Sequence, residues 1–549
     1  MLKTIYGVLF TVASFLDSYG QHSFFELHSY GQKQADLLAQ ESKTCFFSKI
    51  KPYSKKNVMT LISADSSSKK SINKYLSIET RSYHDNKDIG KRHPIWKHFY
   101  SYKNDLYYKS SKNHELHLNP IWAFHVGKST NANNTLFVNT RGVRIEGEID
   151  DKVAFLTTIE ETQARLPPYV QEVEDSVGAI PYEGFWKAYN DDAYDFLRAE
   201  GFIDFNLSKS ISANFGYGKH FIGDGNRSLI LSDFSNRYPY LRIETLIGGR
   251  FKYTNLFASL IADIESYEGG TIGTTIFPKK YLAFHHLDIA LTPNFHLGLF
   301  ESVLTGKPDS LGGSNFKVEY LNPIIFYRML EQQDGSNDNI IIGVDFSWKI
   351  KKKIKFYGQF VLDELIISEL FGNSGWWGSK FGYQLGGKYF DVLPLLNFGV
   401  EFNQVRPYTY GHDRPFTTYT NYRQPLAHPL GGNFSEVFLT SDYQWKNLLI
   451  TVKSIVASYG TDINEEGNVG KNPLSSPALR SNDYGNRQGQ GVSTELIALQ
   501  GCLSYHLFHN FWLDATVFLR REHSTIDKEN CKIFSVGFRW NKSFMEYLF

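Results

Sequence analysis

Two adjacent tryptophans make one stretch of the sequence a candidate for carbohydrate recognition. Trp376 and Trp377 lie between two glycines, within residues 375–378. An exposed indole ring can stack on the C–H faces of a sugar ring. The alternative is that both rings only pack within a loop or join the aromatic girdle of a membrane barrel. The pair is therefore a candidate glycan platform whose role depends on its exposure.

A second candidate stretch, residues 406–433, is rich in Tyr, His, Arg, Asn and Pro. Recognition of a polyol needs flat rings together with hydrogen-bond donors and acceptors. Four prolines in this stretch would stiffen it and lower the entropic cost of binding. The alternative is a loop that only folds over a pore and closes it. The candidate binding residues here are Tyr408, Tyr410, His412, Asp413, Tyr419 and Tyr422.

Other residue patterns give no sign of catalysis or metal binding. A glycine-rich turn precedes Asn226 and Arg227, but residues 228–231 look like a strand, whereas a phosphate-binding loop needs a helix there. His285 and His286 are adjacent residues just before a predicted strand, so they should point to opposite faces and share no metal. No nucleophile elbow or zincin helix is present. We predict no catalytic residue, no metal and no cofactor. The enzymatic alternative is a hydrolase whose residues converge from separate strands.

The elements that must position these residues are strands with a clear period of two. Within 203–218, one parity is apolar and the other is small or polar, and a tight connection falls at 208–210. The last such strand is predicted at 533–541. Similar hairpins turn at 292–294, 351–353 and 509–510. Shorter predicted strands at 135–139, 142–148 and 152–160 precede a long connection at 161–200.

These hairpins alternate between short turns and long connections, which is typical of an outer-membrane barrel. The long connections are expected at 221–240, 302–339, 366–380, 406–436 and 459–491. No uninterrupted apolar run approaches about twenty residues, so helical spans are not expected. Backbone groups in lipid must pair internally, so the strands must close on themselves. We predict an all-β transmembrane antiparallel barrel of roughly 16–20 strands, about 18, over residues 113–549.

The first part of the chain differs from the predicted barrel. Residues 1–20 resemble a secretory signal, with Lys3 before a short apolar run and small residues at the end. Residues 21–112 are predicted to be a partly helical region that lies in the periplasm or plugs the lumen. The alternative is a flexible linker. Lys+Arg (58) and Asp+Glu (57) nearly balance, which argues against nucleic acid as the main partner. The three cysteines are too few and too scattered for a disulfide framework.

Several loop motifs resemble the Wzi-like outer-membrane proteins of Bacteroidota, a group that includes capsule-assembly Wzi-family proteins and the gliding-motility protein RemB. The resemblance covers most of residues 113–460, and its motifs occur in order. They are FIGDGNRSLILSDF at 221–234, YLNPIIFYR at 320–328, GWWG at 375–378, VRPYTY at 405–410 and QPLAHPLG at 424–431.

The resemblance implies a many-stranded barrel with a small helical N-terminal region. It also implies one of two functions: a surface lectin that anchors capsular polysaccharide, or an accessory protein of gliding and surface adhesion that acts through protein partners. The polar parity of the strands allows a third function, a diffusion channel. The main hypothesis is a non-enzymatic barrel in outer-membrane lipid that binds surface polysaccharide.

Overall fold

The computed structural model describes residues 23–64, 75, 76, 79, 105–111, 113–150, 152–190, 192–262, 278–306, 316–322, 327, 338–364, 369, 374–462 and 467–549. Eighteen antiparallel strands within these residues pair in chain order and close into a barrel, which confirms the predicted fold class. The strands are β1 (His114–Ser129), β2 (Leu136–Ile149), β3 (Val153–Arg165), β4 (Ala193–Asn206), β5 (Ile211–Gly218), β6 (Tyr238–Ile247), β7 (Phe251–Ile261), β8 (Lys279–Thr292), β9 (Phe295–Thr305), β10 (Asn339–Ile350), β11 (Ile354–Glu364), β12 (Lys380–Leu393), β13 (Leu396–Val405), β14 (Phe434–Trp445), β15 (Leu448–Thr461), β16 (Val492–Phe508), β17 (Phe511–Ser524) and β18 (Lys528–Trp540).

The barrel closes where β18 pairs with β1. Their register runs from Ile533 opposite Ser129 to Trp540 opposite Trp122. An open edge would expose unpaired N–H and C=O groups to lipid, at a cost of several kcal/mol for each group. The predicted final strand therefore has the partner that the closure argument requires.

Neighbouring residues of each strand alternate between the outer face and the lumen. On the β4–β5 hairpin, Ile203, Phe205 and Phe215 are exposed on the outside. Asp204 and Asn214 are buried on the inside, and the Asn214 Nδ2 donates to Asp204 Oδ1 at 3.2 Å. The apolar parity thus lies on the lipid side and the polar parity in the lumen, as predicted.

Turns of two to four residues connect β2–β3, β4–β5 and every second pair of strands up to β16–β17, and they lie together at one end, where both ends of the barrel segment also lie. They include the predicted turns at 208–210, 292–294, 351–353 and 509–510. Gly248 and Gly249 begin the three-residue β6–β7 turn with φ of 57° and 69°, the left-handed conformation that glycine adopts readily. Short turns are typically periplasmic in such barrels, so the longer connections are extracellular.

Three strand predictions are wrong in detail. Residues 135–139 and 142–148 belong to one strand, β2, because Thr140 and Arg141 between them pair with both neighbouring strands. The expected connection at 161–200 is shorter, since β4 already begins at Ala193. Residues 228–231 are not a strand but an irregular stretch inside the lumen, where the Ser228 hydroxyl donates to Ile222 O at 2.6 Å.

Helices occupy the N-terminal region and one connection. They are α1 (Tyr30–Glu41), α2 (Lys55–Ala64) and α3 (Pro168–Val177), the last between β3 and β4. Ser29 begins α1 by accepting a hydrogen bond from Gln32 N, as an N-cap does. Among the described residues, no helix has the length and apolar character needed to cross a membrane.

The N-terminal region packs around its own small core and enters the periplasmic end of the barrel. Its core residues are Phe25, Ala35, Leu38, Ala39, Phe46, Tyr53, Val58, Leu61 and Leu76. From the wall, Lys349 Nζ donates to Ala39 O at 3.2 Å. A short strand, Ile50–Lys51, pairs inside the lumen with Phe221–Ile222. Residues 1–20, predicted as a signal, lie outside the described residues.

Candidate functional site

Three extracellular connections pack into one surface, here called the loop cap. It consists of residues 374–379, 406–433 and 467–491. Backbone hydrogen bonds join the three segments: Trp377 N to Asp483 O at 2.9 Å, Tyr408 N to Gly470 O at 2.9 Å and Gly432 N to Lys471 O at 2.8 Å. The two stretches with predicted sugar-binding residues are therefore neighbours in space.

The tryptophan pair lies half-buried in the loop cap. The ring centroids of Trp376 and Trp377 are 5.9 Å apart, with their planes at 56°. The Tyr408 ring meets Trp377 edge to face at 6.3 Å. The cations of Lys380 and Arg480 lie over the Trp377 ring, at 5.1 and 4.1 Å from its centroid. These contacts hold the Trp377 ring in one orientation and occupy space over its face, so the neighbouring half-buried Trp376 ring is the stacking surface that the pair offers.

Close contacts explain why glycine occupies both positions that flank the tryptophans. Gly375 has a φ of 64°, and a Cβ there would lie 2.8 Å from Asn486 N. A Cβ on Gly378 would lie 2.4 Å from the Trp376 ring. The GWWG motif therefore lets the first loop segment approach both its neighbour in the loop cap and its own indole.

The loop cap also carries exposed polar and aromatic groups. Tyr484 is 58% exposed. Arg480 Nη2 lies 2.6 Å from Asp483 Oδ1. Asp413 is exposed, and its carbonyl accepts from Ser476 Oγ at 3.3 Å. Rings beside carboxylates and a guanidinium supply the platform, acceptors and donors that a sugar's hydroxyl groups need.

Three of the predicted platform residues are buried instead. Tyr408, Tyr410 and Tyr419 have exposed fractions of only 3%, 1% and 1%. Their hydroxyl groups donate to backbone carbonyls: Tyr408 to Asn468 at 2.9 Å, Tyr410 to Leu229 at 2.6 Å and Tyr419 to Ile230 at 2.8 Å. Their ring faces are covered by protein, so these tyrosines fasten residues 406–433 over the lumen.

His412 and Tyr422 are half-buried and lie at different places. Thr417 Oγ1 lies 2.7 Å from His412 Nδ1, and burial lowers the pKa of His412 below its ordinary value. Tyr422 packs against Phe185 of the β3–β4 connection, with ring centroids 5.1 Å apart. Trp376, Trp377 and Asp413 thus lie at least partly exposed on the loop cap, whereas Tyr422, also part of the loop cap, packs against the β3–β4 connection.

Sequence reasoning missed the contribution of residues 467–491. Arg480 and Tyr484 complete the surface around the tryptophans, but neither belongs to an aromatic cluster in the sequence. Only the fold brings them to the GWWG motif, about a hundred residues earlier in the chain.

The lumen beneath the loop cap is filled by chain segments. Residues 219–237, here called the lumen loop, fold inwards, and Arg227 Nη2 lies 3.3 Å from Glu436 Oε1. The residues after β18, here called the C-terminal segment (542–549), also run inside the barrel. Arg227 Nη2 donates to Leu548 O at 2.6 Å, and the Phe549 ring packs against Phe234.

A cavity of about 440 Å³ remains between the N-terminal region, the lumen loop and the C-terminal segment. Its charged walls are paired with each other. Lys542 Nζ lies 2.6 Å from Glu160 Oε2, and Arg198 forms hydrogen bonds to Glu183. On the barrel wall outside this cavity, His286 Nε2 lies 2.6 Å from Asp345 Oδ2. Within the described residues, no group of three or more His, Cys, Asp or Glu side chains could hold a metal ion.

The comparisons with known proteins bear on the fold. No family model matches the chain, and no curated protein matches it. Among solved structures, it is similar to Wzi, a carbohydrate-binding outer-membrane β-barrel involved in group 1 capsule assembly in Escherichia coli. That match has a TM-score of 0.57 at 12% identity and covers 96% of this chain and 100% of that one.

A second similar structure is OprD of Pseudomonas aeruginosa, with a TM-score of 0.42 at 10% identity, covering 77% of this chain and 94% of that one. The match to Wzi shows that the chain has a Wzi-like β-barrel fold.

Proposed function

We propose that this barrel binds surface polysaccharide through its loop cap and catalyses no reaction. The observation that carries the proposal is the Trp376–Trp377 pair, held by cations and a buried tyrosine beside exposed polar groups. Stacking of a sugar on an aromatic ring is worth about 0.5–1.5 kcal/mol beyond the area that it buries, if it resembles other aromatic pairs. Two adjacent rings therefore suit a repeating polymer, whose many weak contacts add up along the chain.

The carbohydrate binding stated for Wzi supports the proposal by analogy of fold. The filled lumen supports binding in preference to diffusion, because the N-terminal region, the lumen loop and the C-terminal segment all occupy it. A capsular role is the more specific form of the proposal. The alternative, an accessory role in gliding and adhesion through protein partners, would use the same extracellular surface.

The test is glycan retention in a deletion strain complemented with variants of the loop cap. Trp376→Ala and Trp377→Ala together should reduce retained surface polysaccharide at least tenfold, because they remove the Trp376 ring and the Trp377 ring that packs beside it. Ile526→Ala is the control, since this exposed residue lies in the β17–β18 turn at the same end of the barrel. Unchanged retention by a correctly inserted double variant contradicts the proposal. Normal retention with lost surface adhesion favours the protein-partner alternative.

A further inference from the structure

Three basic residues lie on the outer face of the barrel near its extracellular end. Lys128 is the penultimate residue of β1, Arg521 is three residues from the end of β17, and Lys532 is near the start of β18. All three side chains are exposed. Within the described part of the chain, none has a carboxylate partner within the 4.0 Å of an ion pair.

The strand register sets these residues in one row. Lys128 lies opposite Phe534, two positions from Lys532 on the same face of β18. Lys532 lies opposite Leu519, two positions from Arg521 on the same face of β17. Diagonal neighbours of this kind are about 7–8 Å apart. The three cations therefore form a basic row about 15 Å long across three adjacent strands.

An apolar surface continues from the basic row towards the periplasmic end. Val517, Leu519 and Phe534 are exposed on the same face of β17 and β18, each nearer to the periplasm than the cation of its strand. Lys or Arg on the lipid face costs about 2–4 kcal/mol at the bilayer midplane but only about 0–1 kcal/mol near the interface. The basic row thus fits the level of the outer headgroups, with acyl chains beneath it.

Neighbouring charges leave the basic row positive. Glu495 continues the diagonal onto β16, opposite His523, and is the nearest acidic residue on this face by register. Further round the barrel, Arg141 lies 3.6 Å from Glu161, and the Arg165 guanidinium binds Asp192. Those arginines already have partners, whereas the basic row combines three cations with one acidic neighbour at its end.

We propose that Lys128, Arg521 and Lys532 bind the phosphate groups of a phosphorylated glycolipid in the outer leaflet. Ammonium groups act as point charges for phosphate, and a guanidinium can donate two parallel hydrogen bonds to it. A lipid with more than one phosphate can span a row of this length, while its acyl chains cover the apolar surface below. This site lies on the lipid face and is independent of the glycan surface on the loop cap.

The test uses the purified full chain in a non-ionic detergent and native mass spectrometry. The probe is bis-phosphorylated lipid A, compared with lipid A from which both phosphates have been removed. The variant carries Lys128→Gln, Arg521→Gln and Lys532→Gln. The control carries Lys351→Gln, Lys352→Gln and Lys353→Gln, three exposed lysines in the β10–β11 turn at the opposite end.

The basic-row variant should bind lipid A at least tenfold more weakly than the native chain, and the control should stay within twofold. Lipid A without its phosphates should bind the native chain more weakly by a similar factor. This comparison tests the proposal without any change to the protein. Equal binding by the variant and the native chain overturns the proposal. Equal losses in variant and control, or no preference for the phosphorylated lipid, also overturn it. Displacement of the lipid by millimolar inorganic phosphate would show a site for free phosphate instead.

Discussion

Removal of a single buried cation should release the N-terminal region from the barrel. Lys49 is fully buried, and its Nζ lies 2.6 Å from Asp345 Oδ1 and 3.5 Å from Asp288 Oδ1. Its carbonyl also accepts a hydrogen bond from Gly223 N at 2.7 Å, which joins the N-terminal region to the lumen loop. Lys49→Met keeps most of the side-chain volume but removes the lysine cation from both carboxylates. Among the described residues, Asp345 then retains only His286, at 2.6 Å, and Asp288 retains only His296, at 3.2 Å, as ring partners.

Removing one partner of a buried pair typically costs about 3–5 kcal/mol, because the remaining charge is left uncompensated. At 1.36 kcal/mol for each factor of ten, local opening should become roughly 10²- to 10⁴-fold more frequent. Hydrogen exchange of peptides from 46–58, measured in detergent micelles, reports this opening directly. The exchange of these amides should accelerate by that factor, while the barrel strands remain protected.

Lys33→Met is the matched control. Lys33 belongs to the same region, but its side chain is 40% exposed and its Nζ lies 3.7 Å from Asp442 Oδ1. An exposed pair of this kind is worth about 1 kcal/mol or less, so exchange should rise no more than about fivefold. If Lys49→Met accelerates exchange no more than Lys33→Met does, the buried ion pair does not hold the N-terminal region in place.

Three further predictions concern the extracellular end. Burial raises the pKa of Glu183, but Arg198 and Arg237 outweigh it and bring the value to about 2. Above pH 4.5, the ordinary pKa of a glutamate, ionised Glu183 therefore stabilises the β3–β4 connection fully, and this contribution is lost as the pH falls towards 2. Hydrogen exchange in the β3–β4 connection should rise between pH 4.5 and pH 2 for the native chain, and much less for Glu183→Gln. Phe549→Ala should cost about 3–5 kcal/mol and loosen the lumen loop, measured as increased exchange, with no change if the C-terminal segment is not anchored there. Gly470→Ala should weaken glycan retention although both tryptophans remain, because its φ is 82° and its Cβ would lie 2.2 Å from a backbone nitrogen of the loop cap; normal retention would contradict this steric argument.

The barrel could be predicted because its signal is local. The 203–218 hairpin shows its period of two and its turn within sixteen residues, and its outer and inner faces follow directly. The division of β2 into two strands failed because Thr140 and Arg141 interrupt the apolar pattern, although both residues continue the backbone pairing. Side-chain pattern therefore identified the faces of the strands better than their ends.

The candidate site was only partly predictable because burial in loops depends on distant residues. Tyr408 and Tyr410 have the same composition signal as an exposed sugar platform. Their burial depends on carbonyl groups such as Leu229 O, about 180 residues earlier in the chain. The position of the lumen loop also depends on a distant residue, since Arg227 forms an ion pair with Glu436, about 200 residues later in the chain. No local sequence pattern predicts such long-range contacts, whereas the GWWG motif can be recognised within four residues.

The central claim is that apolar residues of each strand contact lipid while their neighbours face the lumen. Spin labels placed singly at 497, 498, 499 and 500 of β16, in a cysteine-free chain reconstituted into liposomes, test it directly. Oxygen, which concentrates in lipid, should relax the labels at 497 and 499 strongly and those at 498 and 500 weakly. A uniform response along the strand, or high access of a water-soluble relaxing agent at 497 and 499, would contradict the account.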